Sequence, residues 1–523
     1  MAETLVWHYL RKWAEHKPDD EALVYGDRRV TFGEFLERTQ RMAKLLLELG
    51  VERGDRVAML SPARDEYAYV YLATGMVGGI WYGLNPRFTL TELRHMLGDA
   101  KPRVAVILRQ FMNRDYADDF QILLDEMPFL EKLLVIGEPF GDDTLEFQAE
   151  IDKQRPELDE ALEKRHASVD PDDGALIVYT SGTTGKPKGV LLSHRNIISN
   201  IEVQVDRFFL DESSTALVHF PINHAACSTE ITVGAFVCGG RLIFMDKFDP
   251  RETLSICERE KITMLGQIPT MFLLEFNVPD FDSFDLSSIQ SYVCSGSGAP
   301  EQLVRRLAST GATLFTGYGM TETAGFVTYT GPDDSVDDLV KTVGVIDPAF
   351  ELRIVDKDRN SVAMGEIGEI AISGDCVMQR YWNMDETTAE AIDKDGWLYT
   401  GDMGSVDARG YLFLKGRSKE MYKSGGENIY PREIEEVIES HPDVLLVAVM
   451  AVPHDIYQMV GKAFVMPRPG AEISDEELEK LCRENLANYK IPKSFEIRPM
   501  LPMLANGKIN RMALLEQEKA RVA

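Results

Sequence analysis

Cysteine is scarce in this sequence and follows no pattern. Six residues, Cys227, Cys238, Cys257, Cys294, Cys376 and Cys482, are scattered through 523 positions. No C-x-x-C pair occurs among them, which argues against a zinc ribbon or a disulfide framework and fits a reduced, cytoplasmic setting. Basic charge is in deficit too: 56 Lys and Arg stand against 85 Asp and Glu, for a net charge of -29. That balance excludes nonspecific attraction to nucleic acid or to an anionic membrane, because their phosphates draw basic faces. It leaves room for a small anionic ligand, which needs only a few local donors. The first residues, Met1 to Trp13, lack the apolar run and small-residue cleavage site of a secretory signal. Long uncharged runs are rare. The segment Tyr67 to Leu84 approaches the length of a membrane span, but its glycines (Gly75, Gly78, Gly79, Gly83) and the Asn85-Pro86 stop read better as a buried helix running into a strand. Repeats and low-complexity tracts are absent.

What is present is a long alternation of helical and strand patterns. Thr31 to Glu34 forms a capping box, followed by Phe35, Leu36, Ala43 and Leu46 at helical spacing and by Gly50 as a stop. Strand-like runs follow at Val57 to Leu60, Lys101 to Ile107 and Leu133 to Ile136. Strands separated by helices imply βαβ units on mostly parallel sheets. From Gly344 to Leu414 short strands alternate with Gly and Asp turns, the pattern of a small antiparallel barrel or sheet. The polar segment Lys415 to Lys419 reads as a linker. Beyond it, Pro431 opens a helix, Val444 to Val452 is a buried strand, and Ser474 to Glu477 is a second capping box. The expectation is an α/β protein: a large N-terminal domain of βαβ subdomains plus a small β-barrel over 1–417, and a small mobile α+β C-terminal domain over 418–523.

Two strand patterns, Gly174 to Tyr179 and Val190 to Leu192, flank the loop Thr180-Ser181-Gly182-Thr183-Thr184-Gly185-Lys186-Pro187-Lys188-Gly189. Glycines let successive N–H groups face an anion, while hydroxyls and two lysines add donors and charge. The spacing is not that of a Walker A loop, and a strand rather than a helix follows. From the residues alone, a phosphate cradle and a glycine-rich hairpin with solvated lysines remain equal alternatives.

The segment YTSGTTGKPKG resembles the signature loop of the adenylate-forming family, which includes acyl-CoA synthetases, beetle luciferases and nonribosomal peptide adenylation domains, and further motifs follow in that family's order over nearly the whole chain. The resemblance implies that Thr180, Ser181, Gly182, Thr183, Thr184, Gly185 and Lys188 hold the ATP phosphates. Thr316 to Thr323 is similar to the second core motif, which implies that Tyr318 stacks on adenine beside Gly319, Thr321 reaches the α-phosphate, and Glu322 holds Mg²⁺. An aromatic face suits a purine, and a carboxylate is a hard-oxygen ligand for Mg²⁺. Tyr399 to Asp402 resembles the ribose motif, with Asp402 accepting from the ribose hydroxyls and Arg417 assisting. The adenine-side loop Ser295 to Pro300 has one residue more than the family's form, and Gly298-Ala299-Pro300 is the register adopted.

The same resemblance makes Lys419 the hinge, and Lys423, Ser424, Gly425 and Gly426 the wall of a CoA tunnel. Lys508, in Leu501 to Arg511, becomes the catalytic lysine that neutralises charge between the carboxylate and the α-phosphate. Asn506 and the Met503-Leu504 pair depart from the usual residues there. Phe220 to His224 resembles an acyl-pocket segment with Asn223 in place of an aromatic, which implies a pocket lined by His224, Ala225, Cys227 and Gly319; a structural role for His224 stays open.

The implied function is an acyl-CoA synthetase that uses ATP, Mg²⁺ and CoA to activate a medium-chain fatty, alicyclic or aryl carboxylic acid, with no nucleic acid partner, no transmembrane helix, and a homodimer left open. An adenylating enzyme that loads a carrier protein, a luciferase-like oxygenase and a noncatalytic nucleotide-binding scaffold are the rivals. A hydrolase is disfavoured, because Gly296-Ser297-Gly298 lacks the spaced second glycine of a nucleophile elbow.

Overall fold

A computed structural model describes residues 4–180, 187–296, 298–424, 427–454, 456–504 and 508–522. It divides into two compact units, one made of Met1–Leu265, Gly319–Val327 and Gly374–Gly396, the other of Gly266–Tyr318, Thr328–Ser373 and Trp397–Ala523.

Local chemistry sets the elements of the first unit. Thr31 Oγ1 accepts the Glu34 N–H at 3.2 Å while the Glu34 carboxylate accepts the Thr31 N–H at 3.1 Å, and the Phe32–Glu48 helix starts from that reciprocal cap. The uncharged segment is the helix Asp65–Met76 followed by the strand Ile80–Leu84, with every residue of both buried. No helix among the described residues is long and apolar enough to cross a membrane. The main sheet has eight strands in the order Arg380–Tyr381, Lys188–Ser193, Gly174–Thr180, Ile80–Leu84, Arg56–Leu60, Val104–Leu108, Lys132–Ile136 and Thr144–Glu146. From Gly174–Thr180 to Thr144–Glu146 neighbouring strands run parallel, and the strands toward the other edge run antiparallel. Leu60, Tyr82, Ile107 and Leu133 of this sheet pack against Leu93, Leu97 and Phe120 of neighbouring helices. Burying each such side chain contributes about 1.5–3 kcal/mol. A second group of strands, Thr215–Val218, Arg241–Phe244 and Glu21–Tyr25, is parallel, with Arg28–Thr31 antiparallel at its edge.

In the second unit Ser291–Cys294 and Thr313–Phe315 pair in parallel. The stretch expected as a barrel or sheet is a four-stranded antiparallel sheet, in the order Glu351–Val355, Gly368–Ser373, Leu398–Val406 and Leu412–Arg417. Its last strand corrects the linker reading of Lys415 to Lys419. The strand runs on past a bulge at Lys415 to Gly416 and Arg417, which pair with Met403 and Asp402, so only Ser418 onward leaves the sheet. The reason is long-range pairing, which overrides the polar composition of those residues. Nearer the C-terminus, Val444–His454 and Gln458–Pro467 form a long hairpin, joined by Tyr422–Ser424 and Ser494–Ile497. Ile434 and Ile438 of the Pro431–Glu439 helix and Leu478 and Cys482 of the Asp475–Asn485 helix fill its core with Val447, Val449 and Val465. Ser474 caps the second helix with the expected box.

Candidate functional site

In the first unit the arms of the glycine-rich loop are an antiparallel pair, with Thr180 opposite Lys188 and Tyr179 opposite Gly189. Thr180 Oγ1 lies 3.4 Å from the Lys188 carbonyl oxygen. Ser181, Gly182, Thr183, Thr184, Gly185 and Lys186 lie outside the described residues. Beyond the arms, the short Arg380–Tyr381 strand pairs with Val190 and Leu191, which carries Tyr381 to the loop's base. There the Lys188 ammonium sits 4.9 Å from the centre of the Tyr381 ring, and the Tyr381 hydroxyl donates to Glu322 Oε1 at 2.8 Å. Tyr381 therefore connects a lysine of the glycine-rich loop to the carboxylate that the sequence motif marks for Mg²⁺. It went unnoticed in the sequence, where Arg380-Tyr381-Trp382 carries no motif and only the strand pairing reveals it.

Glu322 and Thr321 sit on a tight turn, Thr321–Thr323. Thr323 Oγ1 ties that turn together, donating toward the Met320 and Gly325 carbonyls and accepting the Met320 N–H. Gly319 is required by crowding, since a Cβ there would fall 2.2 Å from the Gly325 carbonyl oxygen. Glu322 is buried, and among the described residues no group of three His, Cys, Asp or Glu side chains could hold a metal ion. A lone buried carboxylate fits an ion that takes its other ligands from phosphate oxygens and water. Of the residues expected in an acyl pocket, His224 is half-buried, and its Nδ1 accepts the Ala226 N–H at 3.2 Å. Its carbonyl accepts from Cys227 and Ser228, so His224 starts the π-helical turn Ala226–Ile231. Ala225 and Cys227 are buried on that turn, and burial pushes the Cys227 thiol up to about 12.

In the second unit the ribose-motif residues interlock. The Tyr318 hydroxyl donates to Asp402 Oδ2 at 2.7 Å, and Arg417 Nε lies 3.1 Å from Asp402 Oδ1. Asp402 and Arg417 face each other across two antiparallel strands, and the Asp402 N–H is held by Thr400 Oγ1 at 3.1 Å. Burial first, and then the Asp402 charge, push the Tyr318 phenol well above its ordinary range, so it stays a donor. Pro300 precedes the helix Glu301–Ala308, Ala299 is half-buried before it, and at Gly298 a Cβ would collide with the Arg432 guanidinium, 2.0 Å away. Arg432 is itself held by Glu436 and Glu439.

The described residues on either side of the Lys508 segment are tied together, while Ala505, Asn506 and Gly507 lie outside the described residues. Met503 bridges Ile509, the Leu504 N–H donates to the Lys508 carbonyl at 2.7 Å, and Leu501 packs with Leu514 and Phe464. Just beyond, Arg511 donates to Glu435 Oε1 at 2.6 Å and to the Val449 carbonyl at 3.0 Å. Lys508 lies against Gly296: a Cβ built there would be 3.8 Å from Lys508 Cε and 4.0 Å from Nζ. Gly296 has φ +85°, a backbone that favours glycine. Lys419 is exposed in the turn where Glu420 and Met421 donate to the Arg417 carbonyl. Lys423 is exposed and Ser424 buried on the strand Tyr422–Ser424, while Gly425 and Gly426 lie outside the described residues.

Comparison with known proteins adds the following. The AMP-binding enzyme family model matches residues 10–382, and the AMP-binding enzyme C-terminal domain matches residues 433–508. The chain is 36% identical to a feruloyl-CoA synthase of Amycolatopsis sp, over 95% of each chain. It is 32% identical to the medium-chain acyl-CoA ligase ACSF2, mitochondrial, of Homo sapiens, over 97% of this chain and 86% of that protein. Among solved structures, the anthranilate CoA ligase AuaEII in complex with anthranoyl-AMP superposes with a TM-score of 0.89 at 26% identity, covering 98% of this chain and 97% of that one.

Proposed function

We infer function from one premise: the chain belongs to the AMP-binding enzyme family, and it is an acyl-CoA synthetase, an AMP-forming acid–thiol ligase. It works through an acyl-adenylate. A carboxylate oxygen of the acid attacks the α-phosphorus of ATP, a new P–O bond forms and pyrophosphate leaves. The thiolate of CoA then attacks the acyl carbon, the acyl C–O bond breaks and AMP leaves with that oxygen. Fixed donors and cations lower the barrier of the first step by stabilising charge as it develops on the phosphoryl oxygens.

The observation that carries the residue assignments is the approach of Lys508 to Gly296. In this reading Lys508 neutralises charge between the carboxylate and the α-phosphate. Asp402, oriented by Tyr318 and Arg417, accepts from the ribose. Thr180, Lys188 and the loop between them hold the pyrophosphate end, and Thr321 reaches the α-phosphate. Glu322, fixed by the Tyr381 hydroxyl, contributes the protein ligand to Mg²⁺, which when bound offsets phosphate charge. The chain then divides functionally at residues 417 and 418: a body, and a C-terminal domain that turns about Lys419 between the two steps and brings Lys423 to Gly426 to the CoA arm. A few backbone angles at such a hinge are enough to turn a domain.

The acid is a medium-chain, alicyclic or aryl carboxylic acid, in keeping with relatives named for feruloyl, medium-chain acyl and anthranoyl groups. A panel of such acids, assayed for pyrophosphate release with and without CoA, tests the reading. Acyl-CoA and AMP should appear together from at least one acid. Turnover that loads a carrier protein and ignores CoA would overturn it.

A further inference from the structure

Behind Gly319, two elements of the first unit converge on Gly325. The helix His194–Arg207 contributes Asn200 and Gln204, one helical turn apart on the same face. Both are buried to 2% exposure or less. Asn200 Nδ2 donates to the Thr323 carbonyl at 2.9 Å and the Phe326 carbonyl at 2.7 Å, and Gln204 Nε2 donates to the Glu230 carbonyl at 3.1 Å. Since carbonyls can only accept, these contacts fix which end of each amide is nitrogen. Asn200 Oδ1 and Gln204 Oε1 are therefore acceptors, and both are buried with no hydrogen-bond partner among the described residues. The second element is the π-helical turn Ala226–Ile231, which carries Glu230. Isolated π turns recur at functional sites. The point where a Cβ of Gly325 would lie is 2.7 Å from Asn200 Oδ1 and 3.3 Å from Glu230 Cγ, and the Gly325 carbonyl is the group that crowds Gly319. Cys227, Ser228, Thr229 and Ile231 of the turn are buried, while Glu230 and Ala226 keep partial exposure.

Two buried amide oxygens beside a carboxylate make a site rich in acceptors, and leaving the two amide oxygens unpaired costs about 1–3 kcal/mol each. We propose that Asn200, Gln204 and Glu230 form a specificity subsite for a hydrogen-bond donor on the acid, so that the substrate is an amino- or hydroxy-substituted carboxylic acid rather than a plain hydrocarbon acid. The proposal rests on the acyl-CoA synthetase reading and on Gly319 lining the acyl pocket. An ammonium or amino group supplies up to three N–H donors and a hydroxyl one, whereas a methyl group of the same size supplies none. A site built around buried acceptors rejects the analogue that leaves them unpaired.

The test uses the full chain and acids matched in shape: amino-, hydroxy- and methylbenzoates with the substituent at the same ring position, and hexanoate chains ending in amino, hydroxyl or methyl. Specificity constants come from pyrophosphate release in the presence of CoA. On at least one skeleton the donor-bearing acid should exceed its methyl counterpart by about tenfold or more, the scale of one hydrogen bond to a charged group. Glu230→Leu should bring that ratio to within about threefold of unity, and the isosteric Glu230→Gln should lower the amino-to-methyl ratio while the hydroxyl-to-methyl ratio falls less. Methyl acids used as well as their polar counterparts would mean the cluster holds only water, and would overturn the proposal. So would a Glu230→Leu variant that slows all acids by one common factor. If no acid gives acyl-CoA, the synthetase reading itself fails, a distinguishable result.

Discussion

Asp402 is gripped from two sides, by the Tyr318 hydroxyl at 2.7 Å and by Arg417 at 3.1 Å, and its own N–H is tied to Thr400. Lys508 reaches its place differently. Its loop is pinned at the base by the Met503–Ile509 bridge, and its ammonium end lies against a residue with no side chain, Gly296. One group is oriented by side chains that interlock within an antiparallel sheet, the other lies against the bare backbone of a glycine. A group that serves a bound nucleotide throughout the reaction benefits from the first arrangement. A group required in one step and withdrawn in the next suits the second, because a few backbone angles are enough to carry it away.

Substitutions should separate the two arrangements by which half-reaction they affect. Lys508→Ala should slow acyl-AMP formation by about 10²- to 10³-fold, the scale for losing one charge-stabilising donor, and spare thioester formation from preformed acyl-AMP. Equal loss in both steps, measured by pyrophosphate exchange and by acyl-CoA release, would erase the contrast. Asp402→Ala should cost about 10²-fold in kcat/KM for ATP and also weaken use of preformed acyl-AMP, because the ribose is bound in both steps. Gly296→Ala meets Ile268 Cγ2 at 3.2 Å and a backbone at φ +85°, which predicts about a tenfold loss confined to adenylation. Tyr318→Phe removes one hydrogen bond to Asp402, about 1 kcal/mol, and should raise KM for ATP roughly fivefold with little change in kcat.

The smallest effect is on stability and concerns what lies beneath Gly296. The Gln267 carbonyl accepts the Ser295 N–H at 3.2 Å, and Gln267 Nε2 donates to the fully buried Glu275 at 2.6 Å. Burial raises the Glu275 carboxyl from 4.5 to about 8, the Gln267 hydrogen bond opposing it. The folded state thus keeps a proton that the unfolded chain releases, and stability falls as pH rises from about 4.5 to about 8. Glu275→Gln removes that slope. Denaturant unfolding across this range should show the variant gaining on the parent chain as pH increases, and parallel curves would contradict the burial argument.

The sequence disclosed what is local. The capping boxes at Thr31 and Ser474 and the helix-then-strand reading of Tyr67 to Leu84 depend on a few adjacent residues, and the structure has them all. Contacts between distant segments were hidden. Nothing near Glu322 in sequence points to Tyr381, which arrives only because Arg380–Tyr381 pairs with Val190 and Leu191. Likewise Lys415 to Arg417 look like a polar linker until Arg417 is set opposite Asp402. The acceptors Asn200 and Gln204 read as ordinary helix residues, since their nitrogens are taken up by the Thr323, Phe326 and Glu230 carbonyls and their oxygens are left without a partner among the described residues.

The central claim is that the acid becomes an acyl-adenylate before it meets CoA. Supplying an acid whose carboxylate carries heavy oxygen, together with unlabelled ATP and CoA, tests it most directly. The account predicts one heavy oxygen in the phosphate of the released AMP, because the carboxylate oxygen that attacks the α-phosphorus stays with AMP when the acyl C–O bond breaks. Unlabelled AMP, or ADP as the nucleotide product, would contradict it.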